Sequence, residues 1–256
     1  MKKIKNTTVT SPFAMLTAML VCMLLFMVSG CAREKTPKVP AEVSHYGVLR
    51  EIMMEQKIEA NADLADLRDL PDLYALGALE GLAGEILILD SQPFNGIASQ
   101  GELSFDKTFD RKATLLVSAQ VPAWQELSLQ LESVDLAQLQ TIVRDAAKQL
   151  SISTEEAVPF MIKGELKQVD WHVINAAEAE AQNHDAYKKA GLQGESRDIK
   201  AELLGFYSEK HEGVFTHHGS YLHIHFMNAD ETEMGHVDEL MIDGKVVLLF
   251  PETKRP

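Results

Sequence analysis

Cysteine is nearly absent. The 256-residue chain has two, Cys22 and Cys31, too few for a disulfide-rich scaffold. Basic charge is scarce: 24 Lys and Arg stand against 38 Asp and Glu, a net charge of −14. An acidic surface repels phosphates, which argues against nucleic acid or an anionic lipid face as its partner. Repeats and long low-complexity stretches are missing too. What remains is ordinary globular composition, 46% hydrophobic, 24% charged and 7% aromatic, which excludes collagen, coiled coil and full disorder.

The long hydrophobic run lies at the start. Lys2, Lys3 and Lys5 precede an apolar stretch from Phe13 to Val28, followed by Val28-Ser29-Gly30-Cys31. A basic start, an apolar run and small residues directly before a Cys resemble a bacterial lipobox. The expected organisation is a signal peptide over 1–30, a lipidated Cys31 with a tether over 31–44, and one domain over 45–256. An uncleaved membrane anchor is the other reading of the same run. Either places the domain in the bacterial cell envelope, outside the cytoplasm and held to a membrane. Cleavage removes three lysines and no acid, taking the charge from −14 to −17. It also removes Cys22, so no internal disulfide can form and the fold depends on its core.

Along the domain, Leu49, Ile52 and Met53 share a helical face, and Leu64, Leu67 and Leu70 continue at helical spacing until Pro71. Glu85–Asp90 and Ala113–Ala119 read as buried strands. Asp135 and Gln138 fit a capping box for a helix with Leu136, Leu139, Val143, Ala146 and Leu150 on one face. Residues 160–175 read as two strands around Gly164, and 176–200 as a polar helix and loop. Tyr221–Met227, His236–Ile242 and Lys245–Phe250 read as strands, the last two joined by an Asp243-Gly244 hairpin. This is an α/β or α+β chain.

Six of the nine histidines fall between His211 and His236. His223 and His225 sit at i and i+2 of a strand and share a face, where two imidazoles can converge on one ion. His236, after a polar loop, is brought back beside them by antiparallel pairing. Three His with an open position is the pattern of catalytic zinc; histidines packed on a hairpin without a metal are the other reading. His217-His218 reads as loop polarity.

The segment Ser220-Tyr-Leu-His-Ile-His-Phe-Met-Asn-Ala-Asp-Glu-Thr-Glu-Met-Gly-His-Val-Asp238 resembles the zinc motif of the α-acetolactate decarboxylase family. Gly77-Ala-Leu-Glu-Gly-Leu-Ala-Gly-Glu85 and Phe160-Met-Ile-Lys-Gly-Glu-Leu-Lys-Gln-Val169 resemble two more of its segments, in the right order. Leu204-Gly-Phe206 stands where the family has Gly-Phe. The resemblance covers roughly Tyr46 to Phe250. It implies a mixed α+β fold of two closely packed domains with mixed and barrel-like sheets. It also implies Zn²⁺ on His223, His225 and His236, and decarboxylation of a 2-hydroxy-3-keto acid such as acetolactate to acetoin and CO₂. The partner is thus a small hydroxy-keto acid; a homodimer is left open.

Glu85 matches the family's motif glutamate and is expected to tune the metal or deliver protons. His172 stands where the family has a substrate-binding Arg, Ala78 where it has a Thr, Ala83 where it has an Asp, and Met234 where it has a Gly. Glu252 is a candidate second carboxylate. Metal ligands that persist while Arg and Thr are replaced fit a decarboxylase with an altered site. They also fit a changed substrate, or a metal-binding lipoprotein without this activity.

Overall fold

The computed structural model of the chain describes residues 41–252. The expected signal peptide, Cys31 and the tether up to residue 40 lie outside the described residues.

Two antiparallel sheets carry the fold. The first holds β1 (Val43–Tyr46), β2 (Ala62–Asp63), β3 (Leu73–Leu79), β4 (Glu85–Leu89), β5 (Gln92–Ser99), β6 (Glu102–Asp106) and β7 (Lys112–Gln120). Their order is β1-β7-β3-β4-β5-β6, with β2 against β7. The second holds β8 (Trp124–Asp135), β9 (Val158–Val173), β10 (Leu192–Tyr207), β11 (Leu222–Asn228) and β12 (Met234–Pro251), in the order β11-β10-β9-β12-β8. β11 also pairs β12, so β11, β10, β9 and β12 form a closed ring of pairings. The mixed α+β class holds; within it, the pairings of both sheets are antiparallel.

Strand alternation divides the core into layers. On β3, Leu73, Ala75 and Leu79 pack an outer core with Ile86, Ile88 and Leu116. Tyr74, Leu76 and Ala78 point the other way, into a layer shared with Met161, Leu204 and Leu249 of the second sheet. The far face of the second sheet is covered by α2 (Leu136–Gln149), whose Leu139, Val143, Ala146 and Ala147 pack with Phe160, Leu203 and Leu248. Its capping box forms as expected: Asp135 Oδ1 accepts from the Gln138 N–H at 2.8 Å, and Gln138 Oε1 from the Asp135 N–H at 2.9 Å. Two shorter helices, α1 (Leu49–Glu55) and α3 (His184–Ala190), lie elsewhere in the chain.

Several expectations are corrected. The tether was expected through Ser44, but Val43 and Ser44 already pair with Ala119 and Ser118 in β1. The helical pattern after Leu64 is a four-residue 3₁₀ turn, Leu64–Leu67, begun by Asp63 accepting from the Ala65 N–H. Residues 160–175 are not two strands: β9 runs unbroken for 16 residues. Gly164 is needed there because a Cβ would stand 2.8 Å from Val246 Cγ1 and 3.0 Å from the Lys245 carbonyl on β12. The polar stretch is helix only to Ala190; β10 follows, its exposed first half hiding the strand pattern. Asp243-Gly244 makes no hairpin. β12 continues through it, and the register with β8 shifts between Ile242 and Gly244, a bulge.

Candidate metal centre

All seven residues of β11 are buried, yet on different faces. Leu222, Ile224 and Phe226 enter the core under α2. By alternation His223 and His225 share the opposite face with Met227, which packs between the sheets. On β12, Val237 joins the core under α2 while Met234, two residues before His236, packs between the sheets. Register completes the arrangement. His236 is paired with His225 of β11 on one side and with His172 of β9 on the other. Three imidazoles thus stand in one row across three strands, with His223 one step along.

Ring centroids lie 5.1 Å apart for His223–His225 and His223–His236, 5.4 Å for His225–His236 and 5.0 Å for His172–His236. One nitrogen from each of His223, His225 and His236 falls within 4.8 Å of the others. Nδ1 of His223 and both nitrogens of His225 are buried without a hydrogen-bond partner. A buried polar atom left unpaired is costly, and a metal ion taking the one lone pair of each neutral ring removes part of that cost. The donor set therefore fits a divalent metal. Burial, reinforced by neighbouring imidazoles, holds His223 and His236 well below the ordinary histidine value, and His225 at about 3. The rings are neutral at pH 7, the form that binds metal.

Glu85 opens β4 and shares a face with Leu87, which packs between the sheets. That alternation aims its carboxylate into the layer. Oε2 lies 3.6 Å from His225 Nε2, and Oε1 lies 3.9 Å from His172 Nε2 and 3.4 Å from the Ile174 N–H. Burial raises the Glu85 carboxyl well above the usual range. Nδ1 of His172 meets Asp238 Oδ2 at 2.9 Å, and Asp238 Oδ1 accepts from Lys188 Nζ at 2.7 Å. Burial works against the Asp238 charge, but these two partners hold its carboxyl below the usual range. Burial lowers His172 despite the Asp238 bond.

A cavity of about 40 Å³ lies at this point, with Glu85, His172, His223 and His236 in its wall. Ala78 lines it, opposite Glu85 in the β3–β4 register, and Leu49, Ile52 and Met53 of α1 contribute apolar wall. Two residues that sequence reasoning passed over are there as well. His184 begins α3, and His217, read as loop polarity, has its ring 5.2 Å from that of His236. Nothing in their local sequence marks them; only the tertiary fold brings them in. His218 points elsewhere, exposed and 2.6 Å from Glu212. Glu252 is not brought to the cavity: it is exposed, its N–H bonded to the Ala123 carbonyl.

Fold and site define a class: a mixed α+β protein with a buried three-histidine set, able to hold a metal ion, and a carboxylate between two antiparallel sheets. The chain belongs to the alpha-acetolactate decarboxylase family, whose sequence profile matches residues 44–253. Among solved structures it is similar to a protein of unknown function from Staphylococcus aureus described as similar to alpha-acetolactate decarboxylase. That match has 19% identity and a TM-score of 0.66, over 84% of this chain and 86% of that one. It is also similar to alpha-acetolactate decarboxylase from Bacillus subtilis strain 168, with 13% identity and a TM-score of 0.67, over 82% and 86% of the two chains. At these identities the likeness is one of fold. No curated protein matches the chain in sequence.

Proposed function

We propose that the chain is a metal-dependent carboxy-lyase that converts a 2-hydroxy-3-keto acid, acetolactate, to acetoin and CO₂. One observation carries this reading: His223, His225 and His236 converge, with unpartnered nitrogens on His223 and His225, beside Glu85 at a buried cavity. His223, His225 and His236 would hold the ion. We take it to be zinc, which three imidazoles suit. When bound, it supplies Lewis-acid stabilisation of the negative charge left on the ketone oxygen as CO₂ departs.

The chain's own residues do the rest. In the reaction the bond to the carboxylate carbon breaks, its electron pair passes into the adjoining ketone, and a proton adds to the carbon. Glu85 faces both His225 and His172 and is the group placed to deliver that proton. His172, gripped at Nδ1 by Asp238, turns Nε2 toward Glu85 and so contacts the substrate where the family uses Arg. The cavity has room for on the order of three waters, so substrate entry displaces apolar wall supplied by α1. We further take the domain to be exported and lipid-anchored through Cys31, so that it meets substrate outside the cytoplasm.

A second reading is a metal-binding member without decarboxylase activity. It is favoured by one observation: among the described residues lining the cavity there is no Arg or Lys to fix a carboxylate. Acetoin formation from racemic acetolactate separates the two. The zinc-loaded full chain in detergent is compared with His223→Ala/His225→Ala. Zinc-dependent acetoin supports the decarboxylase; bound zinc with no acetoin supports the second reading.

A further inference from the structure

Four residues make the solvent side of the cavity. Leu49, Met53, His184 and His217 are half-buried, while Glu85, His172, His223, His236 and the rest of the wall are buried. This rim has two unlike halves: apolar side chains from α1, and imidazoles from the start of α3 and the loop before β11. The two imidazoles stand together, their rings 5.5 Å apart. His217 lies 5.2 Å from His236 and His184 5.6 Å from His172, ring to ring. Neither belongs to the metal set, since among the described residues only His223, His225 and His236 bring ligand atoms within reach of one ion.

A carboxylate entering this cavity meets few donors. No Arg or Lys lines it, and His223, His225 and His236 are committed to the ion. Nδ1–H of His172 donates to Asp238 at 2.9 Å, which leaves Nε2 of the neutral ring an acceptor. His184 and His217 are different. Among the described residues no hydrogen bond engages a nitrogen of either ring, so either nitrogen can present its hydrogen to the cavity. An imidazole carries at least one N–H whether neutral or charged. The rim is also where a charged group gives up least hydration.

We propose that His184 and His217 are the carboxylate anchor of the site. Their N–H groups hold the carboxylate of a small 2-hydroxy acid at the solvent side, and Leu49 and Met53 receive its alkyl groups on the opposite half of the rim. The pair thus supplies a contact for which the wall has no permanent cation. A carboxylate held there departs toward water as CO₂. The proposal rests on the functional reading for the identity of the ligand, but binding of the acid can be measured without turnover.

The test compares two probes on the zinc-loaded full chain in detergent, by ligand-observed NMR, which reads weak binding. One is 2,3-dihydroxy-2-methylbutanoate, acetolactate with its ketone reduced, which keeps the carboxylate and is not decarboxylated. The other is butane-2,3-diol, the same molecule with hydrogen in place of the carboxylate. The native chain should bind the acid more tightly than the diol. His184→Leu alone, at a half-buried position, should weaken the acid roughly tenfold, the least a hydrogen bond to a charge is worth, and leave the diol unchanged. His184→Leu/His217→Leu should weaken it roughly a hundredfold by the same measure, with zinc still bound. His184→Gln/His217→Gln, which keeps N–H donors, should recover part of the loss. Equal weakening of acid and diol would reduce the rings to cavity shape and overturn the proposal, as would acid affinity indifferent to both rings. Acetoin formed by such an indifferent chain leaves the functional reading standing. Ring-dependent acid binding with no acetoin sinks that reading and leaves the anchor.

Discussion

Asp238 Oδ2 lies 2.9 Å from Nδ1 of His172, although neither residue pairs with the other in the β9–β12 register. Val237 pairs with Trp171 and Glu239 with Asp170, so Asp238 is the extra residue of a bulge. Bulges re-aim side chains, and this one turns a carboxylate onto the buried imidazole of His172 in the cavity wall. Asp238→Asn keeps the shape and removes the charge. It should lower acetoin turnover or metal affinity by about 10–100-fold. Steady-state kinetics and metal titration check this; unchanged values in both would reduce the contact to packing.

Ala78 faces Glu85 across the β3–β4 pair and lines the cavity. Ala78→Thr would set a hydroxyl beside the carboxyl at a buried position. A hydrogen bond worth about 1 kcal/mol in the transition state would raise kcat about fivefold. A fall in kcat would mean that the wider side chain crowds the cavity.

Removing metal should destabilise the fold, because the unpartnered nitrogens of His223 and His225 lose their ligand. At a thousandfold excess over Kd, bound ion stabilises by about 4 kcal/mol. For a domain of this size that is about 10 °C in Tm. Thermal melts with zinc and with chelator should differ by this order in the native chain. The difference should vanish in His223→Ala/His225→Ala.

The metal-free protein should lose stability on acidification. An unfolded histidine takes up a proton near pH 6.5. Burial lowers His225 to about 3 and His184 to about 4 in the folded chain. The unfolded state therefore binds more protons below pH 6.5, and the stabilisation present above that value is lost as pH falls toward 4 and 3. Glu85 works in the opposite sense: its raised value favours the fold at low pH and is lost as pH rises. Melts between pH 7 and 5 should show falling Tm, less steeply in His225→Gln. A flat profile would contradict the burial of the cluster.

Asp135→Ala removes the acceptor of the capping box far from the cavity. It should cost about 1 kcal/mol by denaturant unfolding while metal content stays unchanged.

What the sequence determined by itself was local. His-x-His at strand period, a glutamate opening an apolar strand, and an Asp–Gln cap before an amphipathic helix are short-range patterns, and each appears where its period places it. The pairing of His236 with His225 was also legible, since an antiparallel return over a short polar loop leaves little choice. The tertiary structure decided the rest. His172 comes beside His236 only through the β9–β12 register, and His184 and His217 arrive on segments whose own composition is that of any polar surface. The Asp243-Gly244 pair shows why. A tight hairpin and a bulge both call for glycine at an unusual φ, here 143°, so the dipeptide is the same for both. Whether the chain turns back or runs on depends on which strands wait to pair with it. Here β8 and β9 flank both halves of β12, and their hydrogen bonds keep it one strand.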